Sequence, residues 1–149
     1  MLLRKAERRF KLTTGDYARL AAFRSKLREF LRFSEDAAAR EGLTAQHYQA
    51  MLVLRACPEG DQVTINDLAR TLLIKHNSAV GLVDRLVGEG LAVREPSASD
   101  RRKVVLRLSA RGRTVLAKLA GIHRRELERL GPVLKRLIAD VLRDPPDSA

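Results

Sequence analysis

TINDLARTLLIKHNSAVGLVDRLVGEGLAVREPSASDRR, residues 64–102, is the stretch on which the fold turns. Thr64 followed three residues later by Asp67 has the spacing of a capping box in its acidic variant, which starts a helix. Ile65, Leu68, Ala69 and Leu72 then recur at helical spacing, so one face is apolar. Leu73–Lys75 reads as a turn. A second helix begins near His76 and stops near Gly90, a residue suited to a left-handed helix end. At about 100° per residue, Ala79, Leu82, Val83 and Leu86 share one stripe of that helix, and Asn77, Gly81, Asp84 and Gly88 the opposite one.

The first stripe is expected to pack on the domain and the second to face outward. Gly81 and Gly88 each cost roughly 1 kcal/mol against alanine inside a helix, so two on one face ask for a reason such as close approach to another backbone. In a major groove, Asn77 suits an adenine edge, Ser78 a base or a phosphate, and Val80 a thymine methyl. His76 suits a phosphate or base better than a metal. The plainer reading is an ordinary surface helix, but the residues after Gly90 argue against it. Leu91–Arg94 alternates with Leu91 and Val93 on one side, and Lys103–Leu108 with Val104, Leu106 and Leu108, giving two strands with one buried face each. Between them Glu95–Arg102 is a polar turn without an apolar anchor. Seven Arg or Lys (94, 101, 102, 103, 107, 111, 113) face only Glu95 and Asp100 between Arg94 and Arg113. Basic loops are usually just solvated. One placed directly after a helix-turn-helix suits a narrow, negative minor groove. The whole reads as a winged helix-turn-helix, whose second helix enters a major groove.

The same residues carry a resemblance. Leu43-Thr44-Ala45-Gln46, Asp67-Leu68-Ala69, Val83-Asp84-Arg85-Leu86, Gly90-Leu91, Asp100-Arg101-Arg102 and Leu108-Ser109 followed by Gly112 match, in order and spacing, the MarR family of bacterial transcriptional regulators. The resemblance covers most of the chain. It implies a homodimeric winged-helix repressor or activator, usually controlled by a small molecule or by oxidation. It also implies that Arg101 is the wing-tip arginine in the minor groove, that Asp100 and Arg102 hold the wing's shape, and that residues between Lys75 and Asp84 read bases. The expected DNA-binding set is Lys75, His76, Asn77, Ser78, Val80, Gly81 and Asp84 on the helix, with Arg101, Arg102 and Lys103 on the wing. Gly81 stands where relatives often carry an arginine or another polar reader. Lys75 stands where some carry an acidic partner for the second wing arginine, so Arg102 is expected to meet another group or a phosphate.

Composition fits this class. The chain has 149 residues, a one-domain length, with 32% charged and 4% aromatic residues. Its net charge of +11 and isoelectric point near 10.8 favour anionic partners, nucleic acid first and a membrane surface second. No run of about 18 apolar residues predicts a spanning helix, and the N-terminus MLLRKAERRFK lacks a signal-peptide core. One cysteine permits no intramolecular disulfide and fits a reducing cytoplasm.

Taken in order, residues 1–12 form a basic arm with Leu2, Leu3, Phe10 and Leu12 as anchors. Thr14 or Asp16 caps a helix to about Arg40, seamed by Leu20, Phe23, Leu27, Phe30, Leu31 and Ser34. Arg24 and Arg28 lie one turn apart beside that seam and suit a small anionic or aromatic effector, although surface or structural pairing is commoner. Such an effector is expected between the helical region and the winged domain. Gly42 ends the helix, and Thr44 caps the next, Ala45 to about Ala56, with Tyr48, Met51, Leu52 and Leu54 for the core. Cys57 follows; a lone cysteine at a helix end is usually a packing residue, and a redox sensor needs a lowered thiol pKa and exposure. Ser109 caps a helix to about Leu130 with Val115, Leu116, Leu119, Ile122 and Leu127 apolar. Arg124 and Arg125 pair with Glu126 and Glu128, Gly131-Pro132 breaks the helix, and a last helix carries Val133, Leu134, Leu137, Ile138, Val141 and Leu142 before the Pro145-Pro146 tail.

The expected fold is α+β, mainly α. Residues 44–109 form the winged helix-turn-helix, and residues 1–43 with 110–149 a helical dimerisation region. The terminal helices carry more apolar surface than such a domain buries, which a second copy would cover. Enzyme chemistry finds little support: His47, His76 and His123 show no zinc spacing, and neither a phosphate loop nor a nucleophile motif is present, so no cofactor is expected. Three classes of function remain: a sequence-specific regulator, foremost a cytoplasmic repressor on a near-palindromic operator; a non-specific architectural DNA binder; and a redox sensor or enzyme built on this fold around Cys57.

Overall fold

The computed structural model describes residues 12–58 and 61–143. Among these are five helices and two strands, α1 (Thr14–Ala39), α2 (Ala45–Ala56), α3 (Ile65–Leu72), α4 (His76–Gly88), β1 (Ala92–Pro96), β2 (Val104–Leu108) and α5 (Ala110–Val141). The basic arm before Leu12 and the Pro145-Pro146 tail lie outside the described residues. The chain divides into two compact units: Phe33–Arg124 forms one, and the segments up to Arg32 and from Arg125 form the other.

Phe33–Arg124 holds the winged helix. Its core joins Met51, Leu68, Val83, Leu86 and Leu119, each no more than 1% exposed, to Leu43, Leu54, Leu91, Leu106 and Leu116. Fully burying one such side chain stabilises by about 1.5–3 kcal/mol. α2, α3 and α4 pack on one another and on the wing, and β2 extends the sheet by one bridge, Leu106 to Val63. His123 of α5 is buried in the same unit. It stacks on Tyr48, with ring centroids 4.1 Å apart, and meets Phe33 edge-on. Its Nδ1 donates to the Leu119 carbonyl at 2.7 Å, and Nε2 lies 2.8 Å from Ser34 Oγ. A buried imidazole is retained because both nitrogens are satisfied.

In the other unit, α1 starts one residue earlier than expected. The cap is Thr13, not Thr14 or Asp16. The Thr13 hydroxyl accepts the Asp16 N–H at 3.3 Å, while the Asp16 carboxylate accepts the Thr13 N–H at 2.7 Å. That backbone bond, with the Thr13 hydroxyl and Arg19, holds the Asp16 carboxyl below its usual range. Phe23, Leu27 and Phe30 are half-buried; Tyr17, Leu20, Leu31, Leu127, Ile138 and Leu142 are exposed.

Four further expectations need correction. α5 does not break at Gly131-Pro132 but runs through to Val141. Proline forfeits one helical hydrogen bond, while apolar spacing continues across it, with Leu130 buried and Val133, Leu134 and Leu137 half-buried. Leu52 is 38% exposed rather than in the core. Glu126 pairs with Arg129 at 2.7 Å, one turn on, rather than with Arg124 or Arg125. The wing's buried face also differs: Ala92 is buried and Val93 exposed, while Val105 is buried and Val104 exposed. Leu91 belongs to the helix end, not the strand. Its N–H bonds to Leu86 O at 2.8 Å across Gly90, whose φ is 70°, so the strand starts one residue later, at Ala92; Leu106 and Leu108 of β2 are buried as expected.

Candidate nucleic-acid interface

α3 begins with a reciprocal capping box. The Thr64 hydroxyl accepts the Asp67 N–H at 3.2 Å, and the Asp67 carboxylate accepts the Thr64 N–H at 3.0 Å. The Thr64 backbone and hydroxyl bonds, followed by Arg70, hold the Asp67 carboxyl below its usual range. α3 ends in a Schellman motif: Ile74 N–H reaches Ala69 O at 3.0 Å and Leu73 N–H reaches Arg70 O at 3.3 Å. The motif puts Leu73 at φ 55°, the sole positive φ outside glycine among the described residues. Glycine suits that position; leucine there costs on the order of 1–2 kcal/mol. Across the turn, His76 Nδ1 donates to Asn66 Oδ1 at 2.7 Å, tying the start of α4 to the start of α3.

α4 then presents the two faces its period implies. Ala79, Leu82, Val83 and Leu86 are buried. Lys75, His76, Asn77, Ser78, Gly81 and Asp84 are exposed, and Val80 is half-buried, so only part of it is free for contact. A Cβ built on Gly81 or Gly88 would meet nothing within 4 Å, so neither glycine serves close packing within the described chain.

The wing is held by polar atoms. β1 and β2 are antiparallel, with Ala92 opposite Leu108 and Pro96 opposite Val104. The loop between them has an anchor that hydropathy did not signal. Ser97, 1% exposed, donates its hydroxyl to Gln62 Oε1 at 2.6 Å and accepts the N–H groups of Ser99 and Asp100 at 3.3 Å. Asp100 Oδ1 accepts the Arg102 N–H at 3.0 Å, and Ser97 N–H bonds to Lys103 O at 2.8 Å. These bonds leave Arg101, Arg102 and Lys103 exposed on a closed turn. An ion pair from Arg94 to Asp84 ties the wing to α4, so Asp84 already has a cationic partner within the protein.

Two more devices set the helix-turn-helix against its surroundings. Thr44 caps α2 with His47 in the role usually taken by Glu or Gln: His47 Nδ1 accepts the Thr44 N–H at 3.1 Å. Burial, then Arg85, pushes the His47 pKa below its ordinary value, which favours the neutral ring this cap requires. At the other end, Ser109 donates its hydroxyl to Gly90 O at 2.6 Å and accepts the Gly112 N–H at 2.9 Å. Gly112 packs so closely on the Leu91 carbonyl that a Cβ would lie 1.9 Å from its oxygen.

The structure therefore gathers the helix set and the wing set into one unit, joined by the Arg94–Asp84 pair. Arg24 and Arg28 are exposed on α1 in the other unit. Cys57 is half-buried with its thiol 3.7 Å from Pro58 O. Three elements went unread in the sequence: the Ser97 anchor, the Arg94–Asp84 tie and Leu73. Only the first left a signal, a serine two and three residues before backbone N–H groups in a polar turn. Among the described residues there is no cluster of three metal-ligating side chains, and no helix long and apolar enough to cross a membrane.

Comparison with known proteins agrees with this architecture. A profile of the MarR family matches residues 41–103. Transcriptional activatory protein BadR of Rhodopseudomonas palustris is 30% identical over 80 residues, 54% of this chain and 46% of its own length, so the match spans less than half of that relative. The transcriptional repressor CouR, solved bound to a 23-mer DNA duplex, is 30% identical over 90% of this chain and 100% of its own, with a TM-score of 0.64. AbsC, a MarR family transcriptional regulator from Streptomyces coelicolor, shares 24% identity over 80% of each chain, with a TM-score of 0.68, and supports the fold alone.

Proposed function

This chain belongs to the MarR family, and from that premise we propose that it is a sequence-specific DNA-binding transcriptional regulator acting as a homodimer in the cytoplasm, not an enzyme. The observation that carries this reading is the pairing of an exposed polar α4 face with a closed basic wing, tied together through Arg94 and Asp84. Lys75, His76, Asn77, Ser78, Val80 and Gly81 are the proposed groove-facing set. Arg101 is the proposed minor-groove arginine, with Arg102 and Lys103 at phosphates. Asp84 serves better as the tie to Arg94 than as a base reader. Likeness to CouR, a repressor, favours repression.

The exposed Tyr17, Leu31, Leu127, Ile138 and Leu142 support dimerisation through the terminal helices, since a second copy would take this apolar surface from water. The two α4 helices would then enter successive major grooves roughly 34–36 Å apart. Arg24 and Arg28, exposed on α1, are proposed to meet a small anionic or aromatic effector that shifts the population of DNA-competent dimers. The test is selection of bound duplexes from a random pool at physiological salt. A twofold motif with half-sites about 10 bp apart supports the reading. Binding without enrichment favours an architectural binder, which the net charge of +11 also suits. Absence of binding removes both.

A further inference from the structure

Leu73 combines two features that protein stability does not ask for. It occupies the left-handed position of the α3 Schellman motif, at φ 55° and ψ 40°, where glycine or asparagine would sit without strain. The residue is also 93% exposed, the highest exposure among the large hydrophobic residues described, so it gains almost nothing from the core. A strained backbone carrying an unburied apolar side chain is what a contact surface looks like when the partner is missing. The motif itself is complete without that side chain, because Leu73 N–H and Ile74 N–H close it through backbone atoms.

The surroundings indicate the partner. Exposed Lys75, His76 and Asn77 begin two residues after Leu73, and exposed Arg70, ion-paired with Asp67, lies three residues before it. An apolar side chain with Arg70 and Lys75 on either side in sequence suits a polyanion that also offers apolar surface. The sugar-phosphate backbone of DNA does both: deoxyribose presents carbon atoms between charged phosphates. We infer that Leu73 packs on a deoxyribose beside the groove entered by α4, so that Arg70 and Lys75 can reach the flanking phosphates. This inference rests on the DNA-binding reading above. It adds a positioning residue that is neither charged nor directed at a base, and it treats the strain at residue 73 as kept for binding.

The test compares Leu73→Gly, Leu73→Asn and Leu73→Met in the full-length protein. Each is measured by thermal denaturation and by fluorescence anisotropy over a salt series, on the duplex selected by the wild type and on an unrelated duplex of the same length. Glycine and asparagine relax the backbone, so both variants should melt about 2–4 °C higher than the wild type. Both should bind DNA about tenfold more weakly, the size expected when roughly 50 Å² of apolar contact is lost over the two protomers together. The loss should be equal on the two duplexes, because every nucleotide carries the same sugar. The salt slope should not change, because no charge is removed. Leu73→Met should retain binding.

Wild-type affinity in the Gly and Asn variants, or a loss in Leu73→Met as large as in Leu73→Gly, overturns the contact. A loss confined to the selected duplex overturns the sugar assignment in favour of base reading. Should the Gly variant fail to fold, the Asn variant decides alone. If the wild type binds neither duplex, it is the DNA-binding reading that fails, and this inference falls with it.

Discussion

Replacing Gly112 with alanine tests how the helix-turn-helix is joined to the helix that follows the wing. A Cβ at residue 112 would sit 1.9 Å from the Leu91 carbonyl oxygen, 2.9 Å from its carbon and 3.3 Å from Leu108 Cδ2. The obstacle is backbone, so it cannot rotate aside, and the carbonyl must retreat by about an ångström. That carbonyl accepts the Ser109 N–H at 3.0 Å, and the Leu91 N–H bonds to Leu86 at the end of α4. Overpacking of this kind costs about 1–3 kcal/mol, and the weakened hydrogen bond about 1 kcal/mol more. Alanine's helix propensity returns roughly 1 kcal/mol. The net loss is about 1–3 kcal/mol, a fall in Tm of roughly 3–10 °C for a chain of this size. Gly81→Ala is the control. Nothing lies within 4 Å of its Cβ, so the same substitution should raise Tm by about 2–4 °C through propensity alone. Thermal unfolding followed by far-UV circular dichroism measures both. A Gly112→Ala protein that melts at or above the wild-type temperature would refute the close approach of α5 to Leu91.

Further expectations concern binding and pH. Arg101→Ala should weaken DNA binding and reduce the salt slope by about two, one for each protomer, while leaving the dimer intact in sedimentation; unchanged binding would remove Arg101 from the minor groove. Asn77→Ala should lower discrimination between the selected and random duplexes more than it lowers random binding; an equal loss on both would place Asn77 at a phosphate. The His47 pKa is depressed by burial and Arg85, so the folded state binds fewer protons than the unfolded chain. Stability should therefore fall as pH drops below His47's ordinary value of 6.5. His47→Gln, which can still close the cap, should flatten this part of the curve in urea titrations at stepped pH. The Asp67 contribution has the opposite charge and a lower window. With its pKa held below 3.8, it is present above that value and lost as pH falls through the folded pKa, a leg that Asp67→Asn should lack.

Local signals along one chain were enough for the helix-turn-helix. Thr64 and Asp67 cap α3 through bonds three residues apart, and the Ala79–Leu86 stripe is buried because the helical period alone decides which side chains share a face. The order of the short motifs from Leu43 to Gly112, together with the basic turn after β1, was likewise enough to indicate the family. What the sequence could not convey depends on contacts between distant residues or on a one-residue register. Val93 and Val104 look like core in an alternating pattern, yet Leu91 is taken up by the end of α4, so the strand begins a residue later. Pro132 looks like a helix end, yet apolar packing on both sides outweighs one missing hydrogen bond. Ser97 is polar, and its buried hydroxyl is satisfied by Gln62, 35 residues away in sequence and 2.6 Å away in space, together with two N–H groups of its own turn. Leu73 reads as one apolar residue among several. Only the tertiary structure shows it strained and out in solvent, because a dihedral angle and an exposure belong to the folded chain and not to the letter.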